Sequence, residues 1–197
     1  MASGKYDFAL AIGGEAGQGV ATPGDVLARI FVRRGLHLST YNAYQSIVRG
    51  GHIFLTMRMS DAKVQNHGEK LDLLMCLNQD TMDRHLGLME AGGRVIFDGG
   101  SITPGTAGEG VRLYPMPVAE LSGGSRNKVL QNTISLGVVM SLLGLDFQVL
   151  RHSLTLQFQA KGQDVLDENV VAARAGYDHA AANFDPFPNP LPTEAKP

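Results

Sequence analysis

Two glycine-rich stretches carry the residues best suited to chemistry. The first, Gly13-Gly14-Glu15-Ala16-Gly17-Gln18-Gly19, follows the apolar run Phe8 to Ile12 and precedes an amphipathic segment that begins near Thr22-Pro23. Four glycines in seven residues permit positive φ angles and close approach to another group, and the helix start beyond them offers unpaired N–H donors at the positive end of its dipole. That combination suits an anion. The second stretch, Tyr44 through Arg49-Gly50-Gly51-His52, sets a guanidinium before two residues without side chains, where it can make a bidentate contact with a carboxylate or phosphate. Gly13, Gly14, Gly17, Gln18, Gly19, Arg49, Gly50 and Gly51 are the candidate ligand-binding residues, expected along one edge of a sheet. The competing reading is a turn that uses glycine for geometry alone, beside a surface arginine.

The spacing argues against the commoner nucleotide sites. The glycines fall as Gly14-x-x-Gly17-x-Gly19, the reverse of the dinucleotide fingerprint, and no acidic residue closes the second expected strand to hold a ribose. The Gly-Lys-Ser/Thr of a Walker loop is absent as well, so neither NAD binding nor ATP hydrolysis is expected. His37, His52, His67, His85, His152 and His179 show no pair at zinc-ligand spacing and have no cysteine partners. The single cysteine, Cys76, lies in the apolar run Leu73 to Leu77, where a buried structural thiol is expected rather than a nucleophile. No Ser/His/Asp arrangement is recognisable.

The 197 residues allow one sizeable core. A formal charge of -2 provides no basic field for nucleic acid. With 18% charged and 44% hydrophobic residues, a surface partly covered by partners is expected. The start Met1-Ala2-Ser3-Gly4-Lys5 lacks the apolar core of a signal peptide, and no apolar run approaches the roughly 20 residues that span a bilayer. The expectation is a cytoplasmic protein with no membrane or nucleic-acid partner.

Hydrophobic periodicity defines the elements that must position the glycine stretches. Residues 7–12 read as a strand, Val26, Leu27, Ile30 and Phe31 as one helix face ending at Gly35, and Leu36 to Tyr41 as a second strand, giving a βαβ start. Ile53, Leu55, Met57 and Met59 alternate with Phe54, Thr56 and Arg58 in a half-buried strand, and Lys70 to Leu77 resembles a strand covered on both faces. Asn78 or Asp80 caps a helix that carries Met82, Leu86 and Met89 to the core and stops at Gly92-Gly93, before a strand from Arg94 to Asp98. Residues 99–110 form a loop and Val111 to Tyr114 a short edge strand. Asn127 to Leu143 is a helix buried on several sides, Asp146 caps a shorter one to about Phe158, and Gln163 to Asn183 is a third. Four prolines between Pro186 and Pro192 mark an extended linker or docking tail. The expected fold is α/β: one domain over residues 1–183, a mostly parallel open sheet flanked by helices with a C-terminal helical part, then a proline-rich tail over 184–197.

Taken in order, these features resemble the gamma subunit or domain of 2-oxoacid:ferredoxin (acceptor) oxidoreductases, most nearly the domain fused ahead of the alpha part in 2-oxoglutarate-type enzymes. Gly13 to Val20 is similar to that domain's G-x-G-G-Q-G-V opening, with Glu15 and Ala16 where the family more often has another glycine. Tyr44 to Arg49-Gly50-Gly51 is similar to its tyrosine-to-R-G-G segment, and Arg58-Met59-Ser60-Asp61 to the strand after it. Asn132-x-x-x-x-Gly137, Lys161-Gly162, Asn169 and Ala175-Gly176-Tyr177 are similar to its C-terminal helices. The resemblance implies oxidative decarboxylation of a 2-oxoacid, 2-oxoglutarate or pyruvate, with coenzyme A, giving acyl-CoA and carbon dioxide and passing electrons to ferredoxin. It implies thiamine diphosphate, Mg2+ and iron–sulfur clusters in alpha and beta partner subunits, because one cysteine falls short of the roughly four a cluster needs. This chain is then not catalytic alone: it assembles a hetero-oligomer and shapes the coenzyme A side of the active site through the eight residues named above. A non-catalytic scaffold subunit and a free-standing module that binds coenzyme A or phosphate are the alternatives.

Overall fold

The computed structural model describes residues 6–44, 51–125, 127–188 and 191. Its strands are β1 (Asp7–Glu15), β2 (His37–Tyr44), β3 (His52–Ser60), β4 (Leu71–Cys76), β5 (Met89–Asp98) and β6 (Arg112–Met116), joined in one sheet in the order β2-β3-β1-β4-β5-β6. β1, β4, β5 and β6 are parallel neighbours, while β3 runs antiparallel to both β1 and β2. The fold is therefore the expected α/β one, with residues 7–12 and 71–76 in adjacent strands: Leu10 pairs with Leu73 and Gly13 with Cys76. The central strands are continuous apolar runs because both of their faces are covered. Leu10, Ile12, Leu73, Met75 and Ile96 enter one core, and Ala9, Ala11, Leu74, Val95 and Phe97 the other.

The helices are α1 (Ala21–Arg33), α2 (Gln79–His85), α3 (Val118–Leu121), α4 (Lys128–Leu142), α5 (Phe147–Phe158) and α6 (Gln163–Asn183). The apolar residues of α1, α4, α5 and α6 join the first core, and Met82 of α2 joins the second. Side-chain caps fix three helix starts: Asn78 accepts from the Thr81 N–H, Asn127 from Val129 and Asp146 from Gln148.

Three local expectations differ from what forms. The helix placed up to Gly92 ends at His85, passes through a 3-10 turn over Leu86–Leu88, and gives way to β5 at Met89. Met82, Leu86 and Met89 all reach the second core, so the apolar spacing was informative, but pairing of Met89 with Leu71 captures the segment for the sheet. The ladder then skips from Leu71–Met89 to Leu73–Arg94, and the surplus residues fit because Gly92 takes a φ of 80° and Gly93 lies against Met89 and the Asp72 carbonyl. β3 is buried on both faces, not one, since Leu55, Met57 and Met59 enter the first core and Phe54 the second. β2 does run parallel to β1, but β3 lies between them, so the βαβ start is split.

α4 and α6 cross with their backbones in contact. A Cβ at Gly137 would lie 2.0 Å from the Ala173 carbonyl oxygen, and one at Gly176 would lie 2.1 Å from that of Ile134. Buried Asn169 accepts from Thr133 Oγ1 at 2.7 Å and donates to the Val165 carbonyl at 2.8 Å, which satisfies the polar groups of the crossing. After α6 the chain returns over the sheet. Phe187 N–H donates to the Leu142 carbonyl, and Arg94, 4% exposed, donates to the carbonyls of Asp185 and Pro186 with its guanidinium 3.8 Å from the Phe187 ring.

Because the crowding at Gly137 is by backbone atoms that cannot rotate away, Gly137→Ala should destabilise the fold by about 1–3 kcal/mol. Gly87→Ala, which meets nothing within 4 Å, should stay within about 0.5 kcal/mol of the parent. Denaturant midpoints measure both, and equal midpoints would refute the close crossing.

Candidate functional site

β1 continues through Gly13, Gly14 and Glu15, so the turn proper is the short segment between Glu15 and α1. Each glycine there has a packing or a backbone reason. A Cβ at Gly13 would lie 2.3 Å from Thr81 Cγ2, so the bare strand lets α2 sit directly on the sheet. Gly14 is enclosed by Gln18, Val20 and Leu77, while Gly17 and Gly19 take φ angles of 93° and 78°. The Gln18 side chain folds into its own turn: Oε1 accepts from the Glu15 N–H at 2.6 Å and Nε2 donates to the Leu77 carbonyl at 3.1 Å. Asn132 of α4 donates to the Gln18 carbonyl at 2.6 Å and fastens the turn from the other side. One backbone donor of the turn, the Glu15 N–H, is thus already occupied by an amide oxygen of the chain.

The turn belongs to a longer carboxyl edge. Gln18, Leu77, Asp98 and Met116 follow or end β1, β4, β5 and β6, and Gln131, Asn132 and Ser135 of α4 face them across a crevice of about 30 Å³. That volume holds a water or two. Asp98, Met116 and Val118 also border a wider groove of about 340 Å³ over residues 98–100 and 115–120. α1 begins behind the turn with no side-chain cap on Val20 and no acidic residue in its first turn. Of the second glycine stretch, Gly51 reaches this edge through its carbonyl, which accepts from Ala16 N–H at 2.9 Å. Arg49 and Gly50 lie outside the described residues. Gly13, Gly14, Gly17, Gln18, Gly19 and Gly51 therefore share one edge.

Sequence spacing missed a second polar cluster at the same edge. His52 and His85, 33 positions apart, meet with their Nε2 atoms 2.8 Å from each other. Asp80 Oδ2 lies 3.2 Å from His52 Nδ1, too oblique for a straight hydrogen bond, and its other oxygen accepts from Arg84 Nε at 2.6 Å. The Phe54 ring stacks on His85 at 3.6 Å. Burial holds both imidazoles toward the neutral form, against the pull of Asp80, and His85, with His52 and Arg84 also opposing its charge, is lowered to about 4. Motif spacing records ligands close in sequence, and only the docking of α2 on β3 brings these two together.

Cys76 is buried, and burial pushes its thiol pKa far up, so it is suited neither to nucleophilic attack nor to ligation. Among the described residues no three His, Cys, Asp or Glu side chains converge on a point where a metal ion would sit. With one cysteine in the chain, iron–sulfur ligation does not fit its residues. Among the same residues no helix is long and apolar enough to cross a membrane.

A mixed open sheet with its crevice at the carboxyl ends of parallel strands defines a class of α/β ligand-handling domains. The chain belongs within that class to the pyruvate ferredoxin/flavodoxin oxidoreductase family, whose sequence profile matches residues 9–179. It is 31% identical over 177 residues to ketoisovalerate oxidoreductase subunit VorA of Methanothermobacter thermautotrophicus, a match that covers 88% of this chain and 36% of that protein. It is 26% identical over 168 residues to 2-oxoglutarate synthase subunit KorC of Archaeoglobus fulgidus, covering 85% of this chain and 84% of that one. The fold superposes with a TM-score of 0.86 and 25% identity on 2-oxoglutarate:ferredoxin oxidoreductase from Magnetococcus marinus, determined with 2-oxoglutarate, coenzyme A and succinyl-CoA bound, over 95% of this chain and 33% of that one. The chain thus spans about a third of the length of VorA.

The imidazoles of buried His52 and half-buried His85 give the fold an acid sensitivity of defined sign. Their folded-state pKa values lie below the ordinary 6.5, so the unfolded chain takes up the protons first. This contribution to stability should be complete above pH 6.5, decline as the pH falls from there toward 4, and level off below. His85→Gln should flatten the decline between pH 6.5 and 4 in denaturant titrations; an unchanged slope would show that His85 does not contribute to it.

Proposed function

We propose that this chain is the gamma component of a 2-oxoacid:ferredoxin oxidoreductase, assembling with alpha and beta partners and shaping the coenzyme A side of their active site. The observation that carries the reading is the likeness of nearly the whole chain to part of an oxidoreductase determined with coenzyme A and its acyl product bound. The polar carboxyl edge described above supports it. In such an assembly thiamine diphosphate supplies carbanion stabilisation and iron–sulfur clusters carry electrons, with ferredoxin as the acceptor. Both groups, and the Mg2+ that accompanies thiamine diphosphate, are assigned to partner subunits. What remains for this chain is to bind and orient. The glycine turn permits close approach of a ligand backbone, Gln18 and Asn132 hold the turn rigid, and Arg49 supplies a positive charge for an anionic group. The relatives differ in their named 2-oxoacid, ketoisovalerate or 2-oxoglutarate, which agrees with substrate choice being made outside this domain.

One observation favours a second reading, the purely architectural one. Every described glycine of the turn has a packing or a backbone-conformation reason, and the Gln18 side chain already accepts from the Glu15 N–H. Arg49→Ala separates the two. In the assembled enzyme it should remove a charge-assisted contact of about 1.5–3 kcal/mol and raise the apparent KM for coenzyme A roughly tenfold or more. Thiamine content and cluster absorbance should stay at parental levels. An assembled variant with unaltered dependence on coenzyme A would transfer the case to the scaffold reading.

A further inference from the structure

The helical layer over the first core carries two surface patches of opposite character. One is a groove of about 380 Å³ between α1 and α5, to which Ile30 and Val149 bring apolar surface and Arg33, Arg34 and His152 bring nitrogen donors. Leu156, one turn beyond His152 on the same face of α5, extends the apolar surface and is 38% exposed. Arg29 precedes Arg33 by one turn, and α5 adds Arg151 and no acidic residue. Against these arginines stand only Asp25 of α1 and Asp146, the cap of α5, so the surface is basic on a chain whose net charge is -2.

The other patch is a stripe along α6. Asp164, Asp167, Glu168 and Val171 have the i, i+3, i+4, i+7 spacing that places them on one face, and all four are exposed. Val171, at 68%, is the most exposed large hydrophobic side chain among the described residues. No basic residue lies between Asp164 and Val171, and Arg174, a turn further on, is paired with Asp178 at 2.7 Å. The core contacts of α6 come from its other side, through Leu166, Asn169, Ala172, Ala173 and Gly176. Folding therefore gives the stripe no role. A small anion in the groove would use the arginines but would leave Leu156 and Val171 uncovered, whereas a second acidic helix with an apolar anchor matches the groove in both respects.

We infer that two copies of this chain associate about a two-fold axis, each laying the acidic stripe of its α6 along the α1–α5 groove of the other, with Val171 against Val149 and Leu156. α1, α5 and α6 pack on the same core, so both patches lie on one side of the sheet and a single axis can exchange them. Every contact is then made twice. None of these residues lines the crevice at the carboxyl edge, so the inference does not rest on the coenzyme A reading.

Sedimentation velocity of the full chain over a concentration series tests it. The parent should form a closed dimer that weakens as salt is raised. Arg33→Glu and Glu168→Arg should each weaken dimerisation about tenfold or more, because each repulsive contact occurs twice, and the double variant should return to within about threefold of the parent. Val171→Ser, which removes apolar surface without changing charge, should also weaken it about tenfold. Lys63→Glu, on the exposed loop after β3, alters net charge as much as Arg33→Glu does and should leave the dimer unchanged. Thermal midpoints should stay at the parental value throughout, since all these positions are exposed. A monomer at every concentration, an open-ended polymer, or a dimer indifferent to the single variants overturns the inference. So does a double variant no tighter than the singles, or a Lys63→Glu variant as weak as Arg33→Glu, because the two patches would then not face each other.

Discussion

The close contact between Thr81 and Gly13 governs the layout of the carboxyl edge. With a side chain at Gly13, α2 could not approach β1, because the threonine methyl already lies within 2.3 Å of where a Cβ would be. The Leu77 N–H bonds the Gly13 carbonyl, Asn78 caps α2 one residue later, and the helix is thereby launched across the end of the strand. Everything that α2 carries follows from that start. Gln79 exchanges two hydrogen bonds with the backbone of Thr103 and pins the long loop after β5, while Asp80 and His85 face the buried imidazole of β3.

The opposite face is tied to the same edge by α4. Asn132 reaches the carbonyl of Gln18, and the helix that bears it is held by its backbone crossing with α6. A glycine-rich turn with no such support would sample many conformations, and ordering it on ligand binding would cost about 1–2 kcal/mol for each residue fixed. Here Gln18 and Asn132 have already ordered it. The turn is thereby a preformed surface.

Elements with a strong single signal were legible in the sequence. The apolar runs of β1 and β4, the amphipathic stripe of α1, the bounds of α6 and the caps at Asn78 and Asp146 all lie where residue pattern placed them. The departures arise where a tertiary contact overrides a local signal. Met89 carries helical spacing with Met82 and Leu86, yet joins the sheet because Leu71 offers a ladder partner and the glycines at 92 and 93 absorb the surplus. The insertion of antiparallel β3 between β1 and β2 has no local signature, since alternation fixes which residues share a face but not which strand is the neighbour. At the site, the glycines were legible and their reasons were not. Nothing in the turn announces that Thr81, 68 positions after Gly13, is what excludes a side chain there, or that His52 meets His85.

The chemistry of the turn also limits what a ligand can do there. Glu15 stands exposed at the tip, where the family resemblance more often has glycine, and its carboxylate disfavours a phosphate next to it. A group that takes the Glu15 N–H must first displace Gln18 Oε1, an exchange of one hydrogen bond for another with a net change on the order of 1 kcal/mol. A neutral amide carbonyl can make that exchange without meeting the Glu15 charge unfavourably, whereas an anion meets that charge at close range.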